Sequence, residues 1–78
     1  MTGRKIDVIS YSGYRAEEIP QSFRIDNEKI DVITIIKSWL EEVTQEQGIR
    51  RFFRVKGSDG YIHVMYFDEN SGEWFLSR

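Results

Sequence analysis

The sequence has no cysteine, one proline and one histidine, and each shortage removes a class of chemistry. Without cysteine there is no disulfide, no thiolate zinc site and no cysteine nucleophile. The lone His63 cannot build a histidine-rich metal cage. A Ser-His-Asp arrangement would also depend on it, and no serine sits in a G-x-S-x-G elbow. No apolar run approaches the roughly 20 residues that span a bilayer. Met1 to Ile9 is charged and broken by Asp7, so it does not read as a signal peptide. These absences predict a cytoplasmic protein with no membrane partner, and the missing cysteine fits a reducing compartment.

Acidic residues are more plentiful, but their spacing supports no site. Glu41 and Glu42 are adjacent and read as a solvated face rather than a catalytic pair. Asp68-Glu69-Asn70-Ser71-Gly72 resembles the start of a calcium loop. Its glycine falls at the fifth position instead of the sixth, however, and the closing glutamate would lie beyond Arg78, so a polar turn is the better reading. The glycines lack the helix N-terminus that a phosphate loop requires. The expectation is a chain with no catalytic residues, no metal and no cofactor, and therefore not an enzyme.

What the chain does have is aromatic side chains: two Trp, four Tyr and five Phe within 78 residues. A chain of this length forms one domain, 1–78, with a thin stability margin. Rings that bury roughly 150–250 Å² each supply the core that disulfides and metals do not. The net charge of −2 argues against bulk electrostatic binding to nucleic acid, yet Arg50, Arg51, Arg54 and Lys56 cluster with no acid between them.

Alternating β-branched residues predict a strand over Lys5 to Ser10 and a short one over Ser22 to Ile25. Asp26-Asn27 is turn chemistry. The segment Ile30 to Gly48 reads two ways. Its first half is dense in β-branched residues, which suit a pleat. Its second half, Ile36 to Glu46, continues an apolar stripe of Val32, Ile36, Trp39/Leu40 and Val43 at helical spacing, with Gly48 placed as a C-terminal cap. Further on, Phe52 to Lys56, a Gly57-Ser58-Asp59-Gly60 turn and Tyr61 to Phe67 form a hairpin, and Glu73 to Leu76 adds a third strand. A four-residue turn would oppose Val55 to Ile62, Phe53 to Val64 and Arg51 to Tyr66. Phe52, Arg54, Lys56, Tyr61, His63 and Met65 would then share the other face.

The stretch from Ser10 to Pro20, followed by Phe23, resembles the hallmark S-Y-S-G-Y-[KR]-A-x-E-x-P-x-x-F of a family of small bacterial proteins of uncharacterised function. Similar domains form C-terminal appendages on proteins resembling Y-family DNA polymerases. The aliphatic run ending at Trp39, Phe53-Arg54-Val55, Asp59-Gly60-Tyr61 and Trp74 extend the likeness, with extra residues between Trp39 and Phe52. The resemblance implies a small curled sheet with a long strand up to Trp39, and an accessory binding role near DNA repair. It implies no catalytic residue.

The predicted fold is therefore mainly β: a small half-open barrel-like antiparallel sheet ending in a three-stranded meander. The alternative is α+β with one helix within about 32–47. The predicted function is a non-enzymatic binding or adaptor module with a protein partner, held through Tyr11, Tyr14 and Arg15, since tyrosine and arginine anchor interfaces. The alternative is single-stranded nucleic-acid binding through Arg50, Arg51, Phe52, Arg54, Lys56, Tyr61 and His63, with cations following the backbone and rings stacking on bases.

Overall fold

A computed structural model describes residues 3–12, 18–44, 46 and 48–77. Six strands follow one another: β1 (Arg4–Ser12), β2 (Glu18–Ile25), β3 (Glu28–Thr44), β4 (Gly48–Gly57), β5 (Ile62–Asp68) and β6 (Glu73–Leu76). Each pairs antiparallel with the next, and β6 returns to pair with β1 through Arg4↔Leu76, Lys5↔Phe75 and Ile6↔Trp74. The sheet is thus a closed barrel rather than a half-open one. The closing contact joins the two ends of the chain, which no local pattern reveals.

Turn chemistry sets the local geometry. Ile25 pairs with Glu28 across a two-residue turn in which Asp26 and Asn27 have φ of 50° and 69°. Positive φ at both central residues is the type I′ signature, whose twist matches that of the flanking strands. Asp and Asn are the non-glycine residues that tolerate it best. Gly57 is a steric case: a Cβ there would lie 2.6 Å from the Asp59 carboxylate and 2.7 Å from Ile30, so any side chain would have to displace both.

The alternative of a helix over Ile36 to Glu46 does not form, and the mainly β reading holds: β3 runs as a strand through Thr44. Three bulges interrupt its alternation. The pairing with β4 shifts between Val32 and Thr34, between Ile35 and Lys37, and between Glu42 and Thr44. Each bulge adds a residue and breaks the two-residue alternation. Inward positions therefore fall at Ile30, Val32, Ile35, Ser38 and Leu40, an average spacing between those of strand and helix.

The barrel interior holds Ile6, Phe23, Ile30, Phe53, Val55, Met65 and Trp74, with Val8, Ile25, Val32, Ile35, Phe67 and Leu76 packed against them. Val55 and Met65 are completely buried. Inside the core, Trp74 packs against Phe53 and Phe67 at centroid distances of 5.7 and 5.1 Å.

Candidate binding surface on the outer sheet face

The β4–β5 hairpin decides which side chains reach the surface. Its register opposes Val55 to His63, Phe53 to Met65 and Arg51 to Phe67. This is one residue away from the expected pairing, because the turn includes Tyr61: the Gly57 N–H donates to the Tyr61 carbonyl at 2.9 Å. A slip of one residue moves every side chain of a strand to the other face. His63 and Met65 accordingly point inward, and Ile62, Val64 and Tyr66 point outward.

The predicted nucleic-acid set is therefore divided. Arg50, Phe52, Arg54 and Lys56 share the outer face of β4. Arg51 lies on the inner side and pairs with Glu69 at 2.8 Å. His63 is tucked inside, its Nε2 3.0 Å from Asp59 Oδ2, with its ring edge-on to Phe23 at 5.1 Å. Tyr61 stands at the turn, 69% exposed, apart from the outer face of β4. Of the predicted protein-interface set, Tyr11 is exposed on β1, whereas Tyr14 and Arg15 lie outside the described residues.

The outer face carries a feature that the expected register concealed. Trp39, Phe52, Tyr66 and Phe75 occupy matching positions on β3, β4, β5 and β6 and form one row of rings. Their centroids are 5.3, 5.0 and 5.2 Å apart, with interplanar angles of 10°, 34° and 20°. Arg50 lies over Tyr66 at 4.9 Å and Lys37 over Trp39 at 5.6 Å. Trp39 Nε1 donates to Glu41 Oε2 at 2.9 Å. At the far end of the row Lys5 pairs with Glu73 at 2.8 Å.

This arrangement limits what the rings can bind. Rings stacked along a row turn their faces to each other and their edges to solvent. Phe52 and Tyr66 are 8% and 3% exposed, so neither offers a free face to a nucleobase. Beside the row, Trp39, Glu41, Phe52, Arg54, Ile62 and Val64 border a trough of about 480 Å³. Along the ladder Lys37 and Arg54 stand directly opposite each other, with Lys56 further along β4. Among the described residues none of these three cations has an acidic partner, although like charges opposite one another destabilise a sheet.

A second feature is the far end of the β3–β4 hairpin. Leu40 and Ile49 lie on the inner side toward the end of this hairpin, yet they are 54% and 39% exposed, and neighbouring Val43 is 36% exposed. The long hairpin carries apolar side chains away from the core.

Among the described carboxylates, Asp59 is clearly shifted. Partial burial pushes its pKa up, but the Tyr61 backbone N–H and the charge and hydrogen bond of His63 outweigh that and hold it below the usual value. The pair is fully explained by the turn that it closes. Among the described residues no three His, Cys, Asp or Glu side chains are grouped to hold a metal ion, and no helix is long and apolar enough to cross a membrane. In comparisons with known proteins, no family model, curated protein or solved structure matches the chain.

Proposed function

We propose that the chain is a non-enzymatic binding module that holds another protein through the extended β3–β4 hairpin. The exposure of Leu40, Val43 and Ile49 carries this reading. Apolar side chains clustered at the end of a projecting element mark protein-interaction sites more often than scattered surface residues do. The position fits the expectation of a protein partner but moves the contact from the tyrosine-rich turn to the hairpin. The experiment is affinity capture from a lysate of the source cells, comparing the natural chain with Leu40→Glu and Ile49→Glu variants whose far-ultraviolet circular dichroism is unchanged. A partner recovered by the natural chain and depleted about tenfold by either variant supports the reading. Equal recovery by all three chains counts against it.

A second reading rests on Lys37, Arg54 and Lys56. Three cations without acidic partners on one sheet face suit a single-stranded nucleic-acid backbone, and the resemblance to polymerase appendages points the same way. Because Phe52 and Tyr66 are buried within the row, such binding would rely on charge, and affinity for an oligonucleotide would fall steeply with salt. Binding indifferent to salt, or unchanged by Arg54→Ala, would set this reading aside.

A further inference from the structure

We propose that two copies of this chain join edge to edge along β3, antiparallel and centred on Trp39. Three observations converge on that strand. First, β3 has 17 residues but pairs with β2 only through Glu28–Asp31. Beyond Asp31 its ladder is made to β4 on one side; on the other, Ile19 to Gln21 of β2 border a cleft with Val32 to Ile35, and from Lys37 onward no described strand is paired with that edge. An unpaired edge of this length is a template for another strand.

Second, bulges confine where a new strand can lie flat. The stretch Lys37 to Glu42 pairs with β4 in unbroken register between two bulges. A strand added to β3 has a regular platform only there. Self-pairing must also keep facing residues on one side of the sheet, which leaves few centres within the platform.

Third, the side chains select among those centres. On the outer face Lys37, Trp39 and Glu41 succeed one another along the edge. Centring on Trp39 places Lys37 of each copy opposite Glu41 of the other, so both charge pairs are satisfied by one twofold axis. Centring on Lys37 or on Glu41 would oppose like charges. Centring on Ser38 or Leu40 leaves Lys37 facing an apolar residue. The row of rings gives the same answer. Phe75, Tyr66, Phe52 and Trp39 stack in sequence, and the row ends at the sheet edge with Trp39. The twofold places Trp39 on Trp39, so that the two rows become one.

This contact uses the β3 edge, on which Leu40 also lies, so Ile49 on β4 is the residue that separates it from the proposed protein contact. The test is sedimentation equilibrium of the full chain over a wide concentration range, with Lys37→Glu and Glu41→Lys variants whose circular dichroism matches the natural chain. The expected result is a dimer for the natural chain and dissociation constants raised about tenfold or more for each variant alone. Mixing the two variants should restore the dimer, because every Glu then meets a Lys. A natural chain that stays monomeric overturns the proposal. So does a dimer that ignores the two substitutions, or variants that remain apart when mixed. Capture of a partner that depends on Ile49 would survive any of these outcomes, so the two ideas fail separately.

Discussion

At the scale of the residue, His63 shows how one position decides a role. It occupies the inward side of β5 beside Phe23 and against Asp59, so it serves the turn instead of an outer binding face. The sign of its partner's shift sets a pH dependence. Asp59 is held below its ordinary pKa in the folded chain. Its contribution to stability is thus fully present above the unfolded value and is lost as pH falls through the folded one. Thermal denaturation should show a loss from about pH 4 downward that Asp59→Asn removes from the profile. An unchanged acid profile in that variant would mean that the His63–Asp59 contact contributes nothing to folding. His63 was conspicuous in the sequence as the lone histidine, but its orientation depended on whether the turn holds four residues or five.

At the scale of the element, β3 and the rows across it were the part hardest to read. Ile30 to Ile36 announced a strand through their branching. The segment after Ile36 suggested a helix because apolar residues sit on both faces of the strand, with Trp39 outward and Leu40 inward, at spacings that also fit a helical stripe. The ring row needed more than recognition of strands. Trp39, Phe52, Tyr66 and Phe75 are scattered along the chain, and only the registers of three hairpins bring them abreast. A double-mutant cycle on Trp39 and Phe52, each replaced by leucine, should give a coupling of about 0.5–1.5 kcal/mol in urea denaturation. A coupling near zero would reduce the stacked geometry to ordinary burial.

At the scale of the whole molecule, closure dominates. The β1–β6 ladder joins the ends of the chain, and the same closure removes the edges that an open sheet would leave at β1 and β6. The radius of gyration of 12.0 Å is slightly above the roughly 11.5 Å expected of a compact domain of this length, in keeping with the long β3–β4 hairpin. Closing so distant a contact costs loop entropy before any reward. Stopped-flow refolding should therefore proceed in about a millisecond to a second. Refolding within tens of microseconds would show that local hairpins, and not closure, limit the rate.

The sequence by itself determined that the domain is mainly β, that Asp26-Asn27 is a turn, that the last third is a meander, and that Phe53, Val55 and Trp74 carry strand signals. These depend on near neighbours: branching at Cβ, tolerance of positive φ and two-residue alternation are written locally. The tertiary structure alone decided which face each residue takes and what meets it there. Arg50, Phe52, Arg54 and Lys56 share the outer face as expected, while Arg51 and His63 leave it. Trp39, Lys37 and Tyr66 join it unannounced, because a single-residue change in hairpin register or one bulge inverts a strand's faces without altering its composition. The physical reason is that facing direction is a property of pairing, and pairing is fixed by contacts between residues far apart in the chain.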